Sequence, residues 1–129
     1  MSVRQAASQW IKDHYPNQQL KQCYKGSSQG LLRTSKYFKE LEEWFITGRV
    51  DYFDEGREGE LLFLLQHEND IGQFHYLRIP FSFFKDNQRK FEVRADGIQF
   101  DLHISALKGS WFEVKRSHGI SFRSFEQHA

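Results

Sequence analysis

Apolar residues recur at helical spacing in two parts of the N-terminal third of the chain. Near the N-terminus the positions of one helix face are Val3, Ala6, Ala7, Trp10, Ile11 and His14. This pattern predicts a first helix that Ser2 caps and Pro16 ends. A second set with the same spacing is Tyr37, Phe38, Leu41, Trp44 and Phe45. It predicts a second helix from about Ser35 to Thr47, with Gly48 as its C-terminal cap.

From Glu60 onward, apolar and polar residues mostly alternate, which is typical of strands. Glu60–His67 and Gln73–Ile79 are predicted as two strands joined by a turn over residues 68–72. Residues 80–87 are predicted to form a short helix capped near Ser82. Three further strands are predicted as a meander: Phe91–Arg94, Ile98–Ser105 and Ser110–Arg116.

The order of these elements, helices first and strands afterwards, predicts an α+β fold. We expect two N-terminal helices packed on a mainly antiparallel sheet of about four to six strands, with one short inserted helix. A length of 129 residues predicts a single domain, 1–129. Because 16% of the residues are aromatic, we expect an aromatic-rich core.

Composition also bears on the compartment and the partners. The single cysteine, Cys23, excludes an internal disulfide and favours a reducing compartment. The longest apolar run, Leu61–Leu65, is too short to cross a bilayer, and the first ten residues lack the apolar core of a signal peptide. We therefore expect a cytoplasmic protein with no membrane association. The net charge is +1, a weaker basic excess than nucleic-acid-binding proteins usually show.

The chemically reactive side chains of the predicted meander share one face. They are Glu92, Arg94, Asp101, His103, Trp111, Glu113 and Lys115. A two-residue turn at Asp96–Gly97 places Glu92 opposite Asp101, where two like charges need compensation. The second hairpin has two registers that keep its apolar residues together. In the register that we expect, Asp101 faces Lys115; in the other, Asp101 faces Glu113 and three carboxylates gather.

Asp101 followed by Glu113-Val114-Lys115 resembles the acid-then-Glu-x-Lys signature of the restriction-endonuclease-like nucleases. The resemblance implies a metal-dependent nuclease in which Glu92, Asp101 and Glu113 hold Mg²⁺ and Lys115 stabilises the developing charge. The other interpretation of these residues is a solvated sheet face without catalysis. We favour it because too few residues follow Lys115 for the helix and strand that come next in that family.

The histidines and the remaining loops contain no specific motif. None of the six histidines has the i, i+4 spacing or the paired-cysteine pattern of a zinc site, so we expect surface or partly buried imidazoles and no cofactor. His67 and His75 flank one predicted hairpin, and His103 lies beside the predicted carboxylates. The glycine-containing segment 25–30 lacks the Gly-Lys-Ser/Thr ending of a phosphate-binding loop.

Charge is unevenly distributed, since residues 41–70 contain nine acidic residues against two arginines and both flanking parts are basic. This distribution, the missing catalytic motifs and the aromatic surplus favour a small accessory or interaction domain without catalysis. We expect it to self-associate or to bind a protein partner. The metal-dependent nuclease is the first alternative, with Mg²⁺ as its cofactor. The second alternative is a nucleic-acid-binding module without cleavage, which would use Arg94, Trp111, Lys115 and Arg116.

Overall fold

The computed structural model of the protein describes residues 2–16, 31–50, 59–115 and 119–128. The helices and strands of these residues, in chain order, are α1 (Val3–His14), β1 (Leu31–Ser35), β2 (Glu43–Arg49), β3 (Glu60–His67), β4 (Asp70–Pro80), α2 (Phe81–Asp86), β5 (Glu92–Val93), β6 (Gln99–Ser105) and β7 (Glu126–Gln127). Short 3₁₀ helices are Gln88–Lys90, Lys108–Ser110 and Arg123–Phe125. The fold is mixed α+β with a sheet-rich core.

The strands form two sheets rather than the single sheet that we expected. The first sheet has the order β1-β3-β4-β7, and the second sheet has the order β2-β6-β5. Strand β1 runs parallel to β3, while the other paired strands are antiparallel. The predicted hairpin of β3 and β4, the short helix α2 and the strands β5 and β6 are confirmed, with shifts of a few residues at their ends.

The two sheets pack face to face around an aromatic core. Its largest members are Trp44, Phe63, Phe84, Phe100, Phe112 and Phe122, all buried. Helix α1 covers the opposite face of the first sheet, where Ala7 and Ile11 contact Leu62, Leu64 and Tyr76. Because β3 lies between α1 and the second sheet, both of its faces are buried, which explains its continuous apolar run.

The first predicted helix is confirmed, and its ends follow from the sequence. The Ser2 side chain accepts a hydrogen bond from the Gln5 N–H at 3.1 Å, and the Gln5 side chain accepts one from the Ser2 N–H at 2.9 Å. This reciprocal capping box satisfies N–H groups that a helix start leaves unpaired. Tyr15 is the C-terminal cap, directly before Pro16.

The second predicted helix is wrong. Ser35 ends β1, residues 39–42 form a turn, and Glu43–Arg49 is strand β2. Trp44 and Ile46 are buried by the two-residue period of a strand, although Trp44 also fits the helical spacing of Tyr37, Phe38, Leu41 and Phe45. Gly48 is not a helix cap. It lies opposite Phe100 in β6, and the Phe100 ring occupies the space that a side chain at position 48 would need.

The last predicted strand, Ser110–Arg116, is also wrong. Residues 108–110 form a 3₁₀ helix, and buried Phe112 adopts a positive φ of 60°, which interrupts an extended strand. Two isolated bridges replace the ladder, Ile104 with Val114 and Glu113 with Ser121. Phe112 and Val114 are buried and Glu113 between them is exposed. The predicted alternation of buried and exposed side chains is therefore present here, but the predicted strand pairing is not.

Some sequence predictions lie outside the described residues. They concern Cys23, the segment 25–30, the acidic residues within 51–58 and Arg116. Among the residues that are described, no helix is both long and apolar enough to cross a membrane.

Candidate functional site

One face of the second sheet is not covered by another layer of the described structure. Residues that alternate with its buried positions are directed to this open face: Phe45, Thr47 and Arg49 from β2, and Gln99, Asp101 and His103 from β6. They are half-buried or exposed, unlike Trp44, Ile46, Phe100, Leu102 and Ile104 on the other face. Of the site residues that the sequence predicted, Asp101 lies on this face, Glu92 pairs with it from β5, and Arg94 is bonded to it.

Asp101 lies in the middle of the open face, and its carboxylate is already occupied. The predicted pairing of Asp101 with Glu92 on β5 is confirmed, and on its other side Asp101 pairs with Thr47 on β2. The Arg94 Nε–H donates to both Asp101 oxygens at 3.0 Å, and Arg94 Nη2 lies 2.8 Å from Oδ1. These bonds raise the pKa of Arg94, since they favour its charged form. Arg94 therefore neutralises Asp101, one of the two facing carboxylates.

Lys115 lies beside His103 and not opposite Asp101. The bridge between Ile104 and Val114 sets this register, in which the Lys115 N–H donates to the His103 carbonyl at 2.7 Å. Neither predicted register of the last hairpin is formed, and the expected pairing of Asp101 with Lys115 is wrong. The chain between β6 and Val114 forms a 3₁₀ turn, which shifts the contact along β6.

The structure does not gather the three carboxylates of the nuclease pattern. Glu113 is exposed and pairs with Ser121, on the side away from β6. In the described ranges, the oxygens of Glu92, Asp101 and Glu113 do not form a group within 4.8 Å of one another. The spacing of the motif is present in the sequence, but the register of the chain separates its members.

Glu43 is a buried carboxylate at one end of the open face, and sequence reasoning missed it. His103 Nδ1 lies 2.6 Å from its Oε2, and the Lys115 Nζ donates to its Oε1 at 3.2 Å. Lys115 also donates to the Leu41 carbonyl at 3.1 Å. The Phe45 ring contacts His103 at a centroid distance of 5.0 Å. Glu43 was missed because it was assigned to a helix, where its strand partner cannot be recognised.

Trp111, the predicted contact residue, packs into an aromatic cluster. Its ring centroid lies 4.4 Å from Phe112, 5.7 Å from Trp44 and 5.1 Å from His75. It is half-buried. This position gives Trp111 a packing role next to the β3–β4 hairpin, away from Arg94 and its partner Asp101.

A second cluster of ligand-type side chains lies at the end of the β3–β4 hairpin. The potential metal-ligating atoms of His67, Glu68 and His75 all lie within 4.8 Å of one another. His75 pairs across the strands with Leu65, two residues before His67, and a bulge between Gln66 and His67 shifts the ladder there. The imidazole rings of His67 and His75 stack at 5.0 Å with an interplanar angle of 21°.

Both ring nitrogens of His75 face carboxylates. Nε2 lies 2.6 Å from Glu68 Oε1, and Nδ1 lies 3.1 Å from Glu126 Oε2 on β7. Glu126 reaches this position because it pairs with Leu77, two residues beyond His75 on the same face of β4. Burial of Glu68 opposes ionisation, but hydrogen bonding to His75 and the Glu68 backbone, together with the attraction of the two imidazoles, lowers its pKa below the ordinary value.

Sequence reasoning noted that His67 and His75 flank a hairpin but missed the cluster. A hairpin register would have predicted the proximity of the two rings. No local signal indicates Glu126, since β7 has only two residues and follows a long irregular segment.

No protein-family model, curated protein or solved structure matches the chain. Functional interpretation therefore depends on the geometry of these two regions.

Proposed function

We propose that the protein is a small accessory domain without catalysis that acts by binding protein, and that a second copy of the chain is its simplest partner. A cytoplasmic location is part of this proposal, supported by the single cysteine. The observation that supports it most is the distribution of exposed apolar side chains.

The exposed apolar residues border the second sheet. The large apolar side chains that are exposed in the described ranges are Leu41, Ile71, Val93, Ile98 and Leu107. Val93 belongs to β5, and the Ile98 carbonyl accepts the hydrogen bond of the Val50 N–H. Leu41 and Leu107 flank Glu42 and Ala106, which are hydrogen-bonded to each other. Four of the five therefore border one sheet, with Leu41 and Leu107 at one end and Val93 and Ile98 at the other. We base the proposed contact on Val93 and Ile98, because exposed apolar side chains that lie together are typical of an interface.

Strand β5 offers an edge that a second copy could extend. It pairs with β6 on one side, and in the described structure no strand pairs with its other side. An edge strand exposes backbone donors and acceptors, and antiparallel pairing of two identical edges is self-complementary about a two-fold axis. Val93 on this edge and Ile98 after the turn are both more than a third exposed, which adds apolar area to such a contact.

The charged groups of the open face support protein binding more than catalysis or phosphate binding. Arg94 is bonded to Asp101, and Lys115 is bonded to buried Glu43. A cation that is already paired gains less from a phosphate, because the existing ion pair must first be broken. Nuclease and nucleic-acid-binding activities therefore have less support than protein binding.

Sedimentation velocity over a series of concentrations tests the proposal. We expect a dimer population that grows with concentration, and Ile98→Lys should weaken the association at least tenfold by placing a charge in the apolar contact. Ile71→Lys is the matched control, because Ile71 is 80% exposed and lies at the start of β4 in the first sheet.

Two results would overturn the proposal. One is a single species of 15.4 kDa at the highest concentration reached. The other is an association that both substitutions weaken equally. A parallel titration with a mixed-sequence oligonucleotide separates the alternatives, since salt-dependent binding by a monomeric chain would replace the proposal with nucleic-acid binding.

A further inference from the structure

The cluster of His67, Glu68 and His75 has the donor set of a transition-metal site. We propose that these three side chains bind a divalent transition-metal ion, with Zn²⁺ as the representative ion, and that Glu126 orients His75 for this role. The proposal does not depend on self-association, because the cluster lies on the first sheet and uses none of the residues at the proposed interface.

The distances between the donor atoms fit a tetrahedral ion after small adjustments. Bonds of about 2.0–2.2 Å to nitrogen and oxygen place tetrahedral ligands about 3.3–3.6 Å apart. Glu68 Oε1 lies 3.8 Å from His67 Nδ1 and 2.6 Å from His75 Nε2. These two distances must change by about 1 Å or less, and the distance between the His67 and His75 nitrogens, which is within 4.8 Å, must change by at most about 1.5 Å. Side-chain rotation can supply such shifts without backbone movement.

The type of donor selects the class of ion. Two imidazole nitrogens and one carboxylate suit Zn²⁺, Co²⁺ or Ni²⁺, whereas Mg²⁺ and Ca²⁺ prefer oxygen ligands. Three protein ligands leave a fourth tetrahedral position for water or for a ligand from a partner. His67 Nδ1 also accepts the Asn69 N–H at 3.0 Å, and a metal bond at this atom would replace that hydrogen bond.

The surroundings of His75 hold its ring in position. Glu126 on one ring nitrogen leaves the other directed at Glu68, which is the carboxylate–histidine–metal arrangement common in metalloproteins. Trp44, Trp111 and Phe112 contact the ring with their planes steeply inclined to it, at centroid distances of 5.1–5.5 Å. These contacts restrict the rotamer of His75 and reduce the entropy cost of binding an ion.

Cluster residues come from paired strands, which favours a preformed site. His67 ends β3, His75 lies within β4, and Glu126 lies on β7, which pairs with β4. Glu68 lies in the tight turn between β3 and β4. An ion held there would connect the hairpin end to a strand only two residues long, so metal binding should also stabilise the fold.

Metal binding by the full chain tests the proposal directly. The metal-free protein is titrated with Zn²⁺ in competition with a chromophoric chelator, and Co²⁺ is titrated separately to obtain the visible absorption of a four-coordinate ion. We expect one equivalent to bind. Glu126→Gln should weaken binding about 10- to 100-fold, as loss of an outer carboxylate does, and Glu68→Gln and His67→Gln should weaken it at least as much.

His14→Gln is the matched control, because it removes an exposed imidazole that stacks on Trp10 in α1, on the other side of the first sheet. It should leave the Zn²⁺ affinity unchanged. Failure of the wild-type chain to bind Zn²⁺ or Co²⁺ would overturn the proposal. Wild-type affinity in both His67→Gln and Glu68→Gln would also overturn it, since the ion would then lie elsewhere. Unchanged affinity in Glu126→Gln would remove the orienting role of that residue.

Thermal unfolding of each variant without metal separates ligand loss from misfolding. Glu68→Gln and Glu126→Gln conserve side-chain shape, so they decide the outcome if His67→Gln fails to fold. A rise in the midpoint of wild-type unfolding on addition of Zn²⁺, absent from Glu68→Gln, is the second expected result.

Discussion

Replacing Gly48 with alanine should destabilise the protein, although glycine is normally unfavourable inside a strand. Gly48 lies in β2 opposite Phe100, and a Cβ atom at position 48 would lie 2.9 Å from Cε1 and 3.0 Å from Cε2 of that ring. Both rigid ring atoms are closer than ordinary van der Waals contact allows. The Phe100 ring is buried among Phe84 and Phe91, so it cannot simply rotate into solvent.

Two opposing effects decide the magnitude. Alanine in a strand interior is favoured over glycine by about 0.5–1 kcal/mol. Forcing an extra methyl group into a packed core costs about 1–3 kcal/mol. The clash is the larger effect, so we expect Gly48→Ala to lower the free energy of unfolding by about 1–2 kcal/mol. At this chain length the midpoint of thermal unfolding should fall by about 3–10 °C.

Urea unfolding of five proteins measures this effect: the wild type, Gly48→Ala, Gly109→Ala, Phe100→Leu and the double variant with Gly48→Ala and Phe100→Leu. Gly109→Ala is the control, because a Cβ atom there meets nothing within 4 Å, and it should change the stability by less than about 0.5 kcal/mol. Phe100→Leu removes the ring atoms that would clash, so adding Gly48→Ala to that background should be neutral or stabilising. An equal loss from Gly48→Ala in both backgrounds would refute the argument, since a double-mutant cycle would show no coupling between the two positions.

Three further predictions concern named contacts. Glu43→Gln should lower the free energy of unfolding by about 1.5–3 kcal/mol in urea, because it neutralises a buried acceptor bonded to the Lys115 ammonium group and to His103. A smaller loss in a Lys115→Met background is the expected coupling. Burial raises the pKa of Tyr76 to about 12, whereas the unfolded chain loses this proton near pH 10. The free energy of unfolding of the wild type should therefore fall as the pH rises from about 10 to 12. Tyr76→Phe should flatten this part of the pH profile, and an unchanged profile would contradict the role given to Tyr76. Ser2→Ala should cost about 0.5–2 kcal/mol of stability through loss of the capping box, measured by thermal unfolding, and no change would indicate a frayed helix start.

The predictable parts of the fold are those in which one periodicity has no competitor. Ser2 and Pro16 bound α1, and the apolar spacing between them fits no strand. The strands β3 and β4 are separated by a turn-forming segment, which indicates a hairpin. Between residues 35 and 49 the aromatic residues fit a helical spacing, whereas Trp44, Ile46 and Gly48 are buried with the two-residue period of a strand. Packing against Phe100 at Gly48 selects the strand, and such a partner is invisible in a local pattern.

The candidate sites were less predictable because each depends on register. Glu92 and Asp101 were paired correctly, since a short turn fixes their alignment. Lys115 was misplaced because the positive φ of Phe112 and the 3₁₀ turn before it change the number of residues between the paired positions. The partnership of His75 with Glu126 joins residues that are 51 positions apart, and only the tertiary fold brings them together.

The position of β6 between β2 and β5 also determines the order in which the chain can fold. Strand β2 ends at Arg49, and β6, the strand that pairs with it, begins only at Gln99. During synthesis the buried face of β2, including Trp44 and Ile46, has no sheet partner until β6 has emerged from the ribosome. Such late, non-local pairing slows folding and prolongs the exposure of an unpaired strand. Nascent chains that end before Gln99 should therefore be the species most prone to aggregate or to require a chaperone.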